Sequence, residues 1–303
     1  MSTEFKNVII IGAGGNLGPS IINAFLKHSS FNLTILTRSE SKSTFPPSVK
    51  TIRADYSSLD SLTSAFKGQD VALSLVSGTA LVDQQKLIDA AIAGGVKRFL
   101  PSEYGSNTRD DRVRAVVPVF EAKKKTVEYL QSKEGEIEWS SLITGPFFDW
   151  GLRVGFIGFH LPSKTATLID GGNSPFTSTT LHKIGLSLIK ILQNPDKTKN
   201  KYIYVSSFNR SQNDILSVVQ KVSGEDWNVK YVKSTDLIAQ GREKLGKHDF
   251  SGIADLIRGV AFGEGGLGDQ RNEGLWNDTL GLEREDFEGA VRTVLGGKLV
   301  GEE

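Results

Sequence analysis

The stretch NVIIIGAGGNLGPSIINAFLKHS, residues 7–29, decides the fold. Its apolar run at 8–11 is typical of a buried strand, the glycine-rich turn follows at once, and the helical periodicity of 16–28 comes next. Short β-rich runs keep alternating with helical patterns up to about residue 145. This alternation predicts an α/β fold, a doubly wound parallel sheet with helices on both faces.

The same periodicities predict the other elements of the sheet. Strands are predicted at 7–11, 33–37, 49–53, 71–75, 98–100 and 138–143. Helices are predicted at 16–28, 59–67, 80–93 and 118–132. Pro118 is expected in the first turn of the last of these helices, because a helix start has no need of that amide hydrogen.

The glycines of the turn follow the pattern G-x-x-G-x-x-G. Between a strand and a helix, this pattern is typical of a dinucleotide site of the Rossmann type. Gly12 would allow a tight turn, Gly15 a close approach of the backbone to a pyrophosphate, and Gly18 close helix packing. We assign six residues of the turn to the cofactor: Gly12, Gly14, Gly15, Asn16, Leu17 and Gly18. The alternative is a glycine-rich turn that binds no ligand.

The end of the second predicted strand indicates which dinucleotide is bound. An NAD site usually offers a carboxylate there, whereas this chain has Arg38 at the strand end and Lys42 four residues later. Cationic groups suit a 2′-phosphate, since guanidinium binds it through paired, charge-assisted hydrogen bonds. We therefore predict NADPH/NADP+, with the alternative that both residues are surface charges near Glu40. Asp55, after the third strand, is either an acceptor for the adenine amino group or an ordinary turn aspartate.

FEAKKKTVEYL, residues 120–130, contains the candidate catalytic group. When the segment is wound as a helix, Lys124 and Lys125 gain acidic neighbours, whereas Lys123 lies in the apolar stripe without a helical counter-ion. A lysine in that position either extends its ammonium outward or serves a site, where desolvation lowers its pKa. Because the helix follows the fifth strand, it starts at the carboxyl edge of the sheet, where such folds bind ligands. We predict that Lys123 is a general acid/base.

Tyr129 and Lys133 have the Y-x-x-x-K spacing of ordinary short-chain dehydrogenases. They fall at the far end of the same helix, roughly 9–15 Å further from the cofactor edge at 1.5 Å per residue. We predict that this pair is structural.

Three segments together carry a family resemblance: GAGGNLG at 12–18, VKRFLPSEYG at 96–105 and FEAKKK at 120–125. They resemble the isoflavone reductase-like branch of the NmrA-like family, which are atypical short-chain dehydrogenases/reductases, over about residues 7–160. The later segment LWNDTLGL at 275–282 is more similar to fungal members.

The resemblance implies roles for individual residues. It implies that Arg38 and Lys42 hold the 2′-phosphate of NADPH and that Lys123 is the general acid/base. It also assigns Lys123 and six further residues to the cofactor site: Ser77, Gln84, Ser102, Glu103, Tyr104 and Phe147. The phenylpropanoid substrates of the plant relatives do not transfer directly to a chain that resembles fungal members.

The composition changes after Pro146, where five aromatic residues fall within 147–159. We expect this segment to leave the sheet, and the chain to rejoin it through a helix at 179–193 and a strand at 201–206. The prediction is a cofactor-binding domain at 1–150 with returning segments at about 177–206. A discontinuous substrate-binding lobe would take 151–176 and 207–303, with the glycine-rich run 262–270 as a candidate lid.

Charge and composition restrict the classes of partner. With 36 basic and 35 acidic residues the net charge is +1, so the field that attracts nucleic acid or anionic lipid is missing. The absence of cysteine excludes disulfides and thiolate chemistry, and four scattered histidines do not predict a metal site. No secretory or membrane-spanning apolar run is found. We expect a cytoplasmic monomer or homodimer whose partner is a small molecule, and neither nucleic acid nor a membrane.

These features predict an NADPH-dependent reductase. It would transfer hydride to a small, aromatic, phenylpropanoid- or isoflavone-like substrate, with Lys123 as general acid/base. The alternative is a non-catalytic, NADP(H)-sensing regulator of the NmrA-like type. Regulators of that kind are expected to lack the helix lysine, so Lys123 favours the enzyme.

Overall fold

The structure is a computed structural model that describes residues 4–302. The predicted domains include residues 1–3 and 303, which lie outside the described residues. The chain divides into two compact units. One takes the residues up to Glu103, 121–142 and 185–203; the other takes 104–120, 143–184 and the residues from Tyr204 onward. The functional boundaries given above stay a prediction.

Twelve strands are found within residues 4–302. They are β1 (Asn7–Ile11), β2 (Asn32–Arg38), β3 (Lys50–Ala54), β4 (Val71–Ser74), β5 (Arg98–Leu100), β6 (Glu138–Ile143), β7 (Phe159–His160), β8 (Thr165–Ile169), β9 (Phe176–Ser178), β10 (Lys201–Tyr204), β11 (Phe208–Arg210) and β12 (Asn228–Val232).

Twelve α-helices lie in the same described range. They are α1 (Gly18–His28), α2 (Leu59–Phe66), α3 (Gln84–Ala93), α4 (Asp111–Val116), α5 (Phe120–Ser132), α6 (Phe148–Arg153), α7 (Leu181–Gln193), α8 (Pro195–Thr198), α9 (Gln212–Ser223), α10 (Ser234–Gly246), α11 (Gly252–Phe262) and α12 (Phe287–Leu295). Short 3-10 helices occur at Gly78–Asp83, Asp170–Gly172 and Arg271–Glu273.

The first unit is built around a seven-stranded parallel sheet, in the order β10-β6-β5-β4-β1-β2-β3. Only the last residues of β6 and β10 are assigned to the other unit. Residues 8–11 of β1 have no exposed surface, which requires cover on both faces of the sheet. The strand order reverses between β1 and β4, and at such a switch point the carboxyl ends of the strands leave a crevice for a ligand. The predicted doubly wound fold is confirmed.

Several predicted elements need adjustment. Pro118 is not in a first helical turn: it lies in a turn ahead of α5, and the Phe120 amide donates to the Val117 carbonyl at 3.0 Å as the helix begins. The helix predicted at 80–93 is two pieces, the 3-10 helix Gly78–Asp83 and then α3. The sequence analysis did not predict α4.

The second unit contains two small sheets and an apolar core. Strands β12, β8 and β7 form one sheet, and β11 pairs antiparallel with β9 in the other. Phe148 and Phe159 are fully buried in the core, whereas Phe156 packs against it from a partly buried position. Much of the aromatic segment after Pro146 therefore serves packing.

The glycine-rich run 262–270 is anchored at its carboxyl end. The carbonyl of Gly268 accepts hydrogen bonds from the Thr177 amide at 3.0 Å and from the Thr177 hydroxyl at 3.1 Å. Gln270 is buried, whereas residues 264–266 are exposed. Residues 264–266 are therefore the part of the run best placed to move, and the lid stays a prediction.

Candidate functional site

The turn between β1 and α1 has the backbone that its glycines predict. Gly12 has φ +80°, and a Cβ built on it would lie 2.9 Å from the carbonyl carbon of Leu75, just after β4. The amide of Gly15 donates to the Gly12 carbonyl at 3.2 Å, and the amide of Gly18 to the Gly15 carbonyl at 3.2 Å. A side chain at Gly12 would therefore be strained and would collide with the neighbouring strand end.

The remaining residues of the turn differ in their surroundings. A Cβ on Gly18 would come within 1.8 Å of the Ala13 carbonyl oxygen, so the close packing at this position is against the turn itself. A Cβ on Gly15 would have only an ordinary contact, at 3.6 Å from the Gly12 carbonyl oxygen. Gly14, Gly15 and Asn16 are exposed, whereas Leu17 is buried and so can offer a ligand only its backbone.

The amino end of α1 also lacks a protein partner of the usual kind. Leu17 is its N-cap and gives no side-chain hydrogen bond, and Pro19 occupies the first turn. Amide hydrogens at a helix start are unpaired within the helix and favour an anion. The turn thus combines exposed backbone at Gly14, Gly15 and Asn16 with the positive end of the α1 dipole, a setting that favours a pyrophosphate.

A cleft of about 730 Å³ lies over this turn, within the first unit. Its lining comes from the turn and from the ends of β2, β3 and β4: Gly12, Ala13, Gly14, Gly15, Leu36, Thr37, Arg38, Ser41, Ser43, Tyr56, Leu75, Val76, Ser77, Ala80, Val82 and Asp83. The predicted residues Arg38 and Ser77 are thus brought to the same space as the glycines.

The two predicted cations are placed differently. Arg38 lines the cleft with its side chain 66% exposed, and its Nε lies 3.5 Å from a carboxylate oxygen of Glu40. Lys42 is exposed but is not among the lining residues, although its neighbours Ser41 and Ser43 are. The structure therefore offers an accessible guanidinium for a 2′-phosphate and places Lys42 outside the cleft lining.

Asp55 has the contacts of the second alternative that the sequence left open, a turn aspartate, whereas its neighbour Tyr56 lines the cleft. The Asp55 carboxylate accepts hydrogen bonds from the side chain and the amide of Ser57, at 2.6 and 2.8 Å, and these bonds lower its pKa. Asp55 therefore has the contacts of a turn aspartate and does not line the cleft. Tyr56 does line it, and its hydroxyl donates to the Leu36 carbonyl at 3.2 Å. Its position directly after the third strand and Asp55 was the signal that sequence reasoning missed.

A second group of predicted residues forms a buried network at the end of β5. The Ser102 hydroxyl donates to the carbonyl of Val76, a cleft residue, at 2.6 Å. The Ser102 amide donates to Oε1 of Gln84 at 3.0 Å, and Nε2 of Gln84 donates to the Thr126 hydroxyl on α5 at 3.4 Å. Gln84 has no exposed surface, so its side-chain amide is used within the protein and links the end of β5 to α5.

Lys123 lies in the first turn of α5 and points back to the same strand end. Its Nζ donates to the backbone carbonyl of Glu103 at 3.0 Å. Burial of the ammonium lowers the pKa of Lys123, and the charge of the nearly inaccessible Glu103 opposes that shift with a smaller effect. The Lys123 ammonium is therefore shielded from water, as its place in the apolar stripe predicted. Its hydrogen bond to the Glu103 carbonyl places it near the carboxyl edge of the sheet.

Tyr104 and Phe147 belong to the second unit. Tyr104 is 8% exposed, and burial raises the pKa of its hydroxyl, for which no hydrogen-bond partner is found among the described residues. Phe147 is half-buried, pairs through its backbone with Thr179 and packs its ring edge-on against Trp150, with centroids 6.2 Å apart. Their assignment to the cofactor stays a prediction.

Tyr129 and Lys133 have partners of their own at the far end of α5. The Tyr129 hydroxyl donates to the Asp89 carboxylate on α3 at 2.5 Å. Lys133 pairs with Glu136 at 2.9 Å, and its ammonium lies 5.9 Å from the centre of the Tyr129 ring. These contacts fit the structural role that their position predicts.

Residues 4–302 contain neither a membrane-spanning helix nor a cluster of metal ligands. None of the helices there is long and apolar enough to cross a membrane. No group of three histidine, aspartate or glutamate side chains in that range could hold a metal ion.

Comparison with known proteins places this site in a family. The family model described as NmrA-like matches residues 4–247. The oxidoreductase aprR of Aspergillus flavus is 37% identical over 295 residues, which cover 96% of this chain and 99% of that protein. The isoflavone reductase homolog P3 of Arabidopsis thaliana is 29% identical over 265 residues, covering 80% of this chain and 83% of that one.

Solved structures of reductases have a similar fold. The binary complex of leucoanthocyanidin reductase and NADPH from Vitis vinifera superposes with a TM-score of 0.74 at 20% identity, and the match covers 96% of this chain and 99% of that one. The family prediction is therefore confirmed by sequence and is consistent with the fold. The chain is an isoflavone reductase-like member of the NmrA-like family.

Proposed function

We propose that this chain, an oxidoreductase of the NmrA-like family, uses NADPH to reduce a small aromatic substrate, with Lys123 as the general acid/base. One observation carries the proposal: the glycine turn and Arg38 face one cleft at the switch point of the sheet. The relative named oxidoreductase aprR supports the reaction class, and the NADPH in the leucoanthocyanidin reductase structure supports the cofactor.

The residues of the cleft fit a phosphorylated dinucleotide. Gly15 leaves room for a pyrophosphate where a side chain would stand, and the amide hydrogens at the start of α1 suit its charge. Arg38 is an accessible guanidinium at the place of the 2′-phosphate. When bound, NADPH supplies the hydride, and the protein supplies binding, orientation and electrostatics.

Lys123 would handle the proton. As hydride reaches an electron-poor carbon of the substrate, negative charge develops on an oxygen conjugated to it, and Nζ of Lys123 gives that oxygen a proton. The lowered pKa makes this transfer easier than from an ordinary lysine. The hydrogen bond to the Glu103 carbonyl orients the ammonium before substrate arrives.

The Gln84 network would keep the two parts of the site in register. It joins Val76 in the cleft to α5 through Ser102 and Thr126. We therefore assign Gln84 and Ser102 to bracing of the site rather than to direct contact with the cofactor. The substrate would be bound by the discontinuous lobe at 151–176 and 207–303. We propose that this substrate is aromatic.

Two measurements test the function. Fluorescence titration with NADPH and NADH should show binding with a clear preference for NADPH. NADPH oxidation should then be followed against aromatic enones, quinone methides and benzylic ethers, with turnover expected for at least one class. If NADP+ binding instead changes association with another protein and no substrate is turned over, the sensor interpretation replaces the reductase.

A further inference from the structure

We propose that Arg53 is a positioning residue for the 2′-phosphate subsite. It would hold the segment 39–43, here called the serine loop, so that the hydroxyls of Ser41 and Ser43 face the cleft beside Arg38. The inference rests on the proposed function, because it concerns the preference for NADPH over NADH. Neither the glycine pattern nor the two cations predicted from the sequence points to Arg53.

The first observation is the position of the Arg53 guanidinium. Arg53 lies on β3 in register with Thr37 of β2, one residue before the strand end that bears Arg38. Its Nη1 donates to the carbonyl of Ser39 at 3.3 Å and to the carbonyl of Ser41 at 2.7 Å. One side chain of the neighbouring strand therefore fixes two carbonyls of the serine loop.

The second observation concerns the other bonds that the described residues make to this loop. The Ser39 amide donates to the Ala54 carbonyl at 3.0 Å, and the Ser41 amide to the Arg38 carbonyl at 3.1 Å. The Ser43 amide donates to the Ser41 hydroxyl oxygen at 3.3 Å. Arg53 therefore connects the part of the loop after Ser39 to β3, through its bond to the Ser41 carbonyl.

The third observation is where the loop leads. Ser41 and Ser43 line the cleft, whereas Lys42 between them does not. Ser43 lies directly over the glycine turn, since a Cβ built on Gly14 would be 2.6 Å from its hydroxyl oxygen. The serine loop thus joins the guanidinium of Arg38 to the turn that would hold the pyrophosphate.

The chemistry of a phosphate explains why this arrangement matters. A phosphate needs several hydrogen-bond donors, and carbonyl oxygens that face it repel it. By binding the carbonyls of Ser39 and Ser41, Arg53 keeps them engaged while the serine hydroxyls remain available as donors. Its positive charge also lies near the proposed subsite. NADH lacks the phosphate, so the effect should be confined to the phosphorylated dinucleotide.

The test compares Arg53→Met with two matched variants in the full chain. Arg53→Lys keeps the charge with a single ammonium donor, and Lys50→Met removes an exposed charge from the same strand. Dissociation constants for NADPH and NADH are measured for each protein by fluorescence titration, and thermal unfolding verifies the fold. Lys42→Met is added because the family resemblance implies that Lys42 binds the 2′-phosphate of NADPH.

We expect Arg53→Met to weaken NADPH binding about tenfold or more while the NADH constant changes less than about twofold, as for loss of one charge-assisted contact. Arg53→Lys should recover part of the loss, Lys50→Met should change little, and Lys42→Met should weaken NADPH binding less than Arg53→Met does. Equal weakening of both dinucleotides, no weakening, or a larger effect of Lys42→Met overturns the inference. If the wild-type chain shows no preference for NADPH, the proposed cofactor is wrong as well. If the wild type prefers NADPH and Arg53→Met keeps that preference, only the role of Arg53 is wrong.

Discussion

The turn after β1 and the end of β5 lie on one sheet but are built by opposite means. The turn is mainly backbone: Gly14, Gly15 and Asn16 are exposed at the amino end of α1, and they leave a surface that a charged ligand can cover. The end of β5 is built from side chains instead. The buried Gln84 accepts from the amide of the buried Ser102, and the partly buried Lys123 donates to the carbonyl of Glu103.

The difference separates binding from chemistry. An exposed backbone surface can bind an anion without changing the pKa of any side chain. A buried network can change the pKa of a side chain, because the charged form of that side chain loses its hydration. We therefore propose that the turn and the end of β2 provide cofactor affinity, and that the end of β5 provides proton transfer. Each variant below should affect one region and spare the other.

The largest effect is expected from Lys123→Met. Loss of the acid/base should lower kcat about 100- to 10,000-fold, the usual contribution of such a group. The dissociation constant of NADPH should change little, because Lys123 is not among the residues of the cleft. Lys125→Met, an exposed lysine of the same helix, is the control. Parental turnover by Lys123→Met would remove the proposed chemistry from this region.

A pair of alanine substitutions divides the turn itself. Gly18→Ala forces a Cβ into the space of the Ala13 carbonyl and should lower the free energy of unfolding by about 1–3 kcal/mol, a typical cost of overpacking. Gly15→Ala meets no such obstacle and should leave unfolding within about 0.5 kcal/mol of the parent. It should instead weaken NADPH binding. Urea unfolding without cofactor, together with titration, distinguishes the two, and equal stabilities would contradict the packing assigned to Gly18.

The pH dependence should report the buried ammonium. Because burial lowers the pKa of Lys123, kcat/KM in the reducing direction should fall with rising pH before the ordinary lysine value of 10.5 is reached. Between the lowered pKa and 10.5 the unfolded chain binds more protons, so this residue makes stability rise with pH in that window. Lys123→Arg should move the falling limb to higher pH if any activity remains, and Lys123→Met should remove the stability slope. An unchanged limb in Lys123→Arg would assign it to another group.

The smallest effect is expected from Tyr129→Phe. The substitution removes the hydroxyl that binds Asp89 and should cost about 1 kcal/mol of stability or less. It should leave kcat and both dinucleotide constants unchanged. A loss of activity as large as that of Lys123→Met would restore the Y-x-x-x-K pair as the catalytic one.

The sequence predicted the features that local backbone chemistry dictates. The bounds of β1, β5 and β6 and the turn at Gly12 follow from apolar runs and from a conformation that glycine adopts without strain. The position of Lys123 followed because helical periodicity fixes which face a residue shares with its neighbours.

Other features depend on contacts between distant residues. The bonds of Arg53 to the carbonyls of Ser39 and Ser41 join residues 14 and 12 positions apart, and the bonds of Gln84 join it to two partners 18 and 42 residues away. The short strands of the second unit, such as β7 with two residues, are too brief for a period-2 pattern to stand out. Local patterns do not contain this information.

The central claim is that a phosphorylated dinucleotide lies in the cleft with its extra phosphate at Arg38. Its most direct test is the ratio of the NADH and NADPH dissociation constants for the wild-type chain and for Arg38→Ala. The account predicts tighter binding of NADPH by the wild type and loss of about tenfold or more of that preference in the variant, with NADH binding retained. A wild type without preference, or a variant that keeps the parental ratio, would contradict it.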